Sequence, residues 1–209
     1  VAVATSLHAP VARAQAQPTT QLPFPFVLPT EIGSISLSTH IVELSAFDNG
    51  ENGVGVSAVA RFRLKNSALT SAFTTVRFSS PVNATLPADL AVTMDGVPAN
   101  VYVTDGGGLA LNVELAAEGS TELQLTYSLS LPKTAIQAIR YPAALLTNWQ
   151  QRISMSVRIQ LPESVVAESV VQIAPDDWIF PADAGQSYAV RWLYDGVPSE
   201  QPFSVAFIQ

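Results

Sequence analysis

Apolar and polar residues alternate along most of this sequence, and this period of two restricts the possible folds more than any other feature. Over Val54–Lys65, apolar side chains occupy every second position, with arginine and lysine between them in the second half. Successive side chains of a β-strand point to opposite faces, so this pattern indicates a strand with one buried face. The alternation recurs at 109–115, 123–131 and 153–161. We therefore predict an all-β protein, an antiparallel β-sandwich made of two packed sandwich units.

The dipeptide Asp95-Gly96 predicts the best-defined turn of the chain. Both residues suit the positive φ angles of a type I′ hairpin, and a two-residue loop sets Met94 opposite Val97. This register brings six apolar residues to one buried face: Leu90, Val92, Met94, Val97, Ala99 and Val101. Two further turns are predicted at Glu118-Gly119, which would close a second hairpin, and at Asp195-Gly196.

Changes in pattern divide the chain into four parts. Residues 1–33 form a leader tail or an extended N-terminal arm with a Pro-rich linker, and 34–131 a β-sandwich. Residues 132–150 form a connector in which Thr134–Arg140 predicts one or two helical turns, and 151–209 a second, smaller β-rich domain. The last part offers few strands for an independent sandwich. It must pair with the first part, use outside strands, or form a small sandwich of its own.

The first sixteen residues resemble the end of a secretory signal peptide. An apolar run over Val1–Leu7 is followed by Ala14-Gln15-Ala16, the small-residue pattern that precedes signal-peptide cleavage, here before Gln17. We therefore expect an exported protein, located outside the cell or on its surface. If the segment is retained, it predicts an assembly arm that donates a strand to a neighbouring subunit. The alternating apolar residues of that arm are Val1, Val3, Leu7 and Val11.

The composition excludes several classes of protein. A net charge of −7 argues against nucleic-acid binding, which requires a basic surface. The absence of cysteine excludes disulfides, iron–sulfur clusters and thiolate zinc sites. Although 48% of the residues are hydrophobic, no apolar run reaches the ~18–20 residues of a transmembrane helix.

No catalytic or metal-binding constellation is recognisable. The histidines are His8 and His40, too few for a three-histidine zinc site, and His40 lies in an alternating strand, where we expect a surface or half-buried side chain. No serine lies in a Gly-x-Ser-x-Gly motif. Asp48–Gly53 resembles a calcium loop, but Gly50 and Val59 occupy ligand positions, so a turn is the simpler interpretation. We predict no cofactor, no metal and no enzymatic activity.

Three tryptophans form the best candidate for a binding site. Aromatic rings in a row can stack on sugars, and this is the alternative ligand platform that the sequence offers. Trp192, however, falls on the same strand face as Tyr188, Val190 and Tyr194, which favours packing in the core. The three candidate residues are Trp149, Trp178 and Trp192.

Three sequence segments resemble a known group of proteins. The strings VSAVARFRLKN, LAVTMDGVPANVYV and EGSTELQLTYSLSL, within about 54–131, are similar to bacterial exported β-sandwich domains of the VIT-like or immunoglobulin-like kind. The resemblance implies a surface domain and carries over no functional residue. We expect a non-enzymatic exported structural protein that associates with identical subunits, such as a filament or matrix subunit assembled by strand donation. The alternative is a cell-surface module that binds a glycan or a protein.

Overall fold

A computed structural model describes residues 24–80, 86–149, 151–181, 187–196 and 201–208. The prediction of an all-β protein is confirmed, since helical structure in these residues is limited to short 3-10 segments at Gly50–Asn52, Ala143–Trp149 and Ala167–Ser169. The strands are β1 Phe26–Pro29, β2 Ile35–Asp48, β3 Val54–Asn66, β4 Ala72–Ser79, β5 Ala91–Met94, β6 Val97–Pro98, β7 Tyr102–Val103, β8 Leu109–Leu115, β9 Ser120–Leu131, β10 Ile136–Tyr141, β11 Ile153–Gln160, β12 Val170–Ala174, β13 Ala189–Gly196 and β14 Phe203–Ile208.

The described strands form three sheets. The largest has the order β13-β11-β2-β3-β9-β5-β6, a second has the order β1-β4-β8-β7, and the third has the order β10-β14-β12. All the ladders between these strands are antiparallel except β2–β11, which is parallel, so the large sheet is mixed. One apolar cluster draws buried residues from all three sheets.

The long strands β2 and β3 form the centre of the large sheet. Val42 lies opposite Ala60 and Leu44 opposite Ala58, and all four side chains are buried. The intervening positions face outward and are mostly polar. The period of two in the sequence therefore reports the two faces of this sheet, as predicted.

Strands from residue 151 onward complete the sheet that begins in the first part of the chain. β11 lies between β2 and β13, with Val157 opposite Val42. Phe207 near the end of the chain and Phe62 in β3 belong to the same buried cluster. Of the three alternatives for 151–209, pairing with the first part is therefore the one observed. Phe24 and Phe26 of the predicted linker are also buried in this cluster.

The predicted hairpin at Asp95-Gly96 is confirmed in its register. Met94 pairs with Val97, and the two turn residues have φ angles of 50° and 80°. Five of the six apolar residues are partly buried against the core, namely Leu90, Val92, Met94, Ala99 and Val101. Val97 is 65% exposed, because it belongs to the two-residue strand at the margin of the sheet.

Two predictions of local structure are wrong. β8 and β9 do not form a hairpin, because β8 pairs with β4 and β7 whereas β9 pairs with β3 and β5. Glu118-Gly119 is a turn, but it carries the chain from one sheet to another. Asp195-Gly196 is not a turn but the end of β13, where the two residues lie opposite Ser154 and Ile153.

The helical turns predicted at Thr134–Arg140 are also absent. Ile136–Tyr141 forms strand β10 and pairs along its whole length with β14. This pairing buries Gln137, Ile139 and Tyr141. Tertiary burial outweighs the helix propensity of this short segment, because propensity contributes only a few tenths of a kcal/mol per residue.

The turn between β2 and β3 depends on Gly53, which has a φ of 92°. A Cβ atom there would overlap the backbone oxygen of Leu131 and lie 2.6 Å from the backbone nitrogen of Lys133. Gly53→Ala is expected to lower the free energy of unfolding by about 3 kcal/mol, since strained backbone and steric overlap add. Gly96→Ala, at similar φ in open space, is the control and should cost about 1 kcal/mol. Urea denaturation measures both free energies of unfolding, and equal losses in Gly53→Ala and Gly96→Ala would contradict this interpretation.

Candidate functional site

The three candidate tryptophans do not form an exposed platform. Trp149 is buried and its indole N–H donates to the carbonyl oxygen of Val27 at 2.9 Å. Trp192 is also buried and donates to the carbonyl oxygen of Pro175 at 2.9 Å. Trp178 alone among them is partly accessible. The packing interpretation therefore holds for two of the three residues.

His40 is completely buried, so the expectation of a surface or half-buried side chain is wrong. Its Nδ1 lies 3.0 Å from the carbonyl oxygen of Arg61 and its Nε2 lies 2.6 Å from the hydroxyl oxygen of Tyr141. A carbonyl oxygen only accepts, so Nδ1 carries the proton and Nε2 accepts the tyrosine hydrogen. Both ring nitrogens are therefore satisfied in the neutral form.

The surroundings of this pair show that it serves the structure. The ring centroids of Phe62 and His40 are 4.2 Å apart. The ring centroids of Phe24 and Phe26 lie 5.2 and 5.3 Å from that of Tyr141. Burial lowers the pKa of His40 to about 3 and raises the pKa of Tyr141 well above its usual value. Both side chains are fully buried among the described residues. Within the described ranges, no group of three or more metal-ligating side chains is found.

A group of contacting, partly accessible aromatic residues lies elsewhere, beside β12. Trp178 and Phe180 meet edge to face with ring centroids 4.7 Å apart, and Phe180 and Tyr188 meet in the same way at 5.3 Å. Phe180 is 60% exposed. The backbone of Ile179 forms two hydrogen bonds with Arg191 of β13, which fixes this segment at the margin of the large sheet. We call Trp178, Phe180 and Tyr188 the aromatic patch.

Strand β12 borders the aromatic patch and is the edge of its own sheet. A surface hollow of about 270 Å³ is lined by residues of both, including Val170, Val171 and Ile173 together with Trp178 and Tyr188. Val171 sits at a break in the β12–β14 register and is 49% exposed. The sequence of β12, VVQIA, contains no charge and no proline.

Edge strands usually carry features that prevent association with other chains, such as charge, proline or short length. The other edges described here fit that rule. β6 and β7 have two residues each, β1 ends in Pro29, β10 contains Arg140, and β13 is contacted by Ile179. Within its five residues β12 carries neither charge nor proline, and the register break at Val171 is its protecting feature in the described part of the chain.

Sequence analysis identified Trp178 but not its partners in the patch. A signal was present, because Trp178, Ile179 and Phe180 are three consecutive large apolar residues between an acidic pair and Pro181. A run of exposed apolar residues outside a regular strand indicates a contact surface. The proposed assembly arm, Val1, Val3, Leu7 and Val11, lies outside the described residues.

The helical segments that the structure describes are all too short or too polar to cross a membrane. No family model matches the sequence, and no curated protein matches it.

Solved structures are similar in fold. A protein described as a putative nutrient binding protein from Legionella pneumophila superposes with a TM-score of 0.65 at 9% identity, covering 91% of this chain and 73% of that chain. An M1 zinc metallopeptidase from Deinococcus radiodurans superposes with a TM-score of 0.52 at 10% identity. It covers 86% of this chain and 43% of that chain, so the present chain spans less than half of the peptidase. At these identities the likeness shows the fold alone, and the resemblance to VIT-like or immunoglobulin-like domains stays a prediction.

Proposed function

We propose that this chain is a non-enzymatic, exported structural protein that associates with identical subunits through β12 and the aromatic patch. The observation that carries the proposal is the uncharged, proline-free edge strand β12 beside the partly exposed aromatic patch. The signal-peptide pattern of the first sixteen residues supports export. The buried, neutral His40 supports a non-catalytic role.

An antiparallel pairing of β12 with β12 of a second copy would give the backbone groups along this edge hydrogen-bond partners. Such a contact is isologous, because each copy presents the same strand to the other. The free backbone groups of β12 supply hydrogen bonds, and Phe180 and Val171 supply apolar area. Asp176 and Asp177 precede the patch on the surface. Their mutual repulsion between copies should make the association stronger at higher salt.

Two substitutions test this contact. Val171→Lys places a charge on the edge strand, and Phe180→Ser removes the central ring of the patch. Each is expected to weaken dimerisation about tenfold or more, as loss of a central apolar contact does at other interfaces. Sedimentation equilibrium over a range of protein and salt concentrations measures the effect.

Matched controls separate this contact from general surface changes. Val103→Lys introduces the same charge on edge strand β7, where Val103 is 68% exposed, and Phe73→Ser removes a ring that is 64% exposed on β4. Both controls should dimerise like the unmodified protein. A monomer at all concentrations, or equal weakening by the controls, would refute the proposed contact.

Strand donation by the N-terminal arm would add a second, head-to-tail contact. Pairing through β12 alone stops at a dimer, whereas a further heterologous contact propagates into a filament or matrix. Deleting residues 1–16 would then abolish polymers and leave dimers. This separates the two contacts experimentally.

A cell-surface binding module is the second candidate. The nutrient-binding description of a structure that covers 91% of this chain supports it. In either case we infer that the large sheet packs face to face on the two smaller sheets as a β-sandwich, an arrangement that the shared apolar cluster supports.

A further inference from the structure

We propose that a surface hollow at the end of β2 binds a small organic cation that carries a primary ammonium group. The hollow shares no residue with β12 or the aromatic patch, so the proposal does not depend on self-association. We call it the acidic hollow. It has a volume of about 260 Å³, and its lining includes Ala46, Phe47, Asp48, Gln160, Leu161 and Glu163.

The acidic hollow arises because two parallel neighbours in the large sheet end at different points. The last paired residues of β2 and β11 are Ser45 and Gln160. β2 continues to Asp48 and stays paired with β3, whereas the chain leaves the sheet after Gln160. In the described part of the chain, the last three residues of β2 therefore have no paired strand on the side of β11.

Phe47 supplies an accessible aromatic ring at the acidic hollow. Its ring lies against the backbone of Gly55, the residue directly opposite in β3. A Cβ atom at Gly55 would overlap this ring, so the glycine leaves the room that the ring occupies. Phe47 is nevertheless 47% exposed, whereas Ala46 and Leu161 are buried. A ring that is supported on one side and accessible on the other is suited to contact a cation.

Both charged residues in the lining of the acidic hollow are carboxylates. Asp48 ends β2, Glu163 lies in the chain that follows β11, and both are exposed. Gln160 and Ser187 add neutral oxygen atoms that can accept hydrogen bonds. An ammonium group has three N–H donors and a positive charge, which suits this set of acceptors. The net charge of −7 also attracts a cation to the protein and repels an anion.

The size of the acidic hollow favours a small amine. A volume of about 260 Å³ is below the range of about 300–1,000 Å³ that is usual for sites of drug-sized ligands. It suits an ammonium group with a short alkyl chain, which would contact the ring of Phe47. A peptide that presents a lysine would find only the end of β2 for strand pairing, and Pro162 beside the hollow has no N–H group. A free amine needs no backbone partner.

An NMR titration with butylammonium chloride at constant ionic strength tests the proposal. We expect saturable shifts of the backbone amide signals of Asp48, Gln160 and Glu163. A dissociation constant of about 1–10 mM is expected for a ligand with so few contacts. Butanol lacks the charge and tetramethylammonium lacks N–H donors, so each should bind at least about tenfold more weakly.

Three substitutions separate the contributions to binding. Glu163→Gln keeps the size of the side chain and removes its charge, so it should weaken butylammonium binding about tenfold. Phe47→Leu removes the aromatic ring and should weaken binding about threefold. Gly55→Ala leaves every residue of the lining in place but displaces the Phe47 ring. It should therefore weaken binding about as much as Phe47→Leu.

Matched controls change the same residue types outside the acidic hollow. Glu168→Gln removes an exposed carboxylate on the 3-10 segment Ala167–Ser169, and Phe73→Leu replaces a ring that is 64% exposed on β4. Both controls should bind butylammonium like the unmodified protein, and the NMR spectra establish that every variant is folded. The proposal is wrong if the three amides show no saturable shift or if the controls weaken binding equally. Tighter binding of calcium, or of Nα-acetyl-lysine amide, than of butylammonium would also overturn it.

Discussion

Asn66→Asp is expected to lower the free energy of unfolding by about 3–5 kcal/mol, a large part of the ~5–15 kcal/mol that stabilises a typical domain. Asn66 is completely buried at the end of β3. Its Nδ2 donates to the carbonyl oxygens of Thr70 at 2.8 Å, Ala116 at 2.9 Å and Leu115 at 3.4 Å. Aspartate has no hydrogens to donate and would place a second oxygen against these carbonyl groups.

The effect is large because Asn66 joins two crossings between sheets. The connection between β3 and β4 leads from the large sheet to the four-stranded sheet, and the connection between β8 and β9 leads back again after β5 and β6 have joined the large sheet. The Asn66 side chain bonds to both connections, since its Oδ1 also accepts from the backbone N–H of Ala68 at 3.0 Å. Its own backbone N–H donates to Gly119 at 2.9 Å. Loss of the amide therefore loosens both connections together.

Denaturation by urea measures this change, with Asn112→Asp as the control. Asn112 is exposed, and its Oδ1 accepts from Thr75 and Tyr102, each at 3.0 Å. A carboxylate can accept both bonds, so the control should stay within about 0.5 kcal/mol of the unmodified protein. Asn66→Ala should lie between the two, at about 2–3 kcal/mol. Similar losses for Asn66→Asp and Asn112→Asp would show that burial at Asn66 has been overestimated.

The alternating pattern predicted individual strands well because the direction of each side chain is a local property. The inward residues of β11, for example, are the ones that the sequence assigned to the core. Pairing between strands is not local. Nothing in the segments 109–115 and 123–131 distinguishes a hairpin from a crossing between sheets, and nothing in β11 specifies a parallel neighbour.

Polar residues at inward positions were the neglected signal. Asn66 continues the series of inward residues in β3 that includes Phe62 and Leu64, and His40 stands in line with Val42 and Leu44 of β2. His40 is buried because β2 continues in register past it. Asn66 is the last residue of β3, and its buried side chain bonds to the connections that follow β3 and β8. Both polar side chains therefore require partners. Those partners, distant in sequence, could not be inferred from the pattern.

The surface sites were harder to foresee for a related reason. Phe180 and Tyr188 come together through the backbone contact of Ile179 with β13. Asp48 and Glu163 line one hollow because β2 and β11 are parallel neighbours. Each pair depends on which strands are neighbours, and composition does not reveal this.

Acid is expected to destabilise this protein through His40, by about 2 kcal/mol between pH 7 and pH 5. The pKa of the imidazole is near 6.5 in the unfolded chain and about 3 in the folded protein, because burial penalises the charged form. Between these values the unfolded chain binds a proton that the folded protein does not. Stability is therefore complete above about pH 6.5 and falls as the pH is lowered toward 3.

The double variant His40→Phe, Tyr141→Phe isolates this contribution. It removes both members of the hydrogen-bonded pair and keeps aromatic rings among Phe24, Phe26 and Phe62. At neutral pH we expect a loss of about 1–3 kcal/mol, because the carbonyl oxygen of Arg61 loses the hydrogen that His40 Nδ1 donates. Between pH 7 and pH 5 the variant should lose about 2 kcal/mol less than the unmodified protein. Tyr141→Phe alone leaves Nε2 buried without a donor and should cost about 1–3 kcal/mol at neutral pH. Urea denaturation at each pH measures the free energy of unfolding. If it falls equally with pH in the double variant and in the unmodified protein, the acid sensitivity belongs to the carboxylates instead.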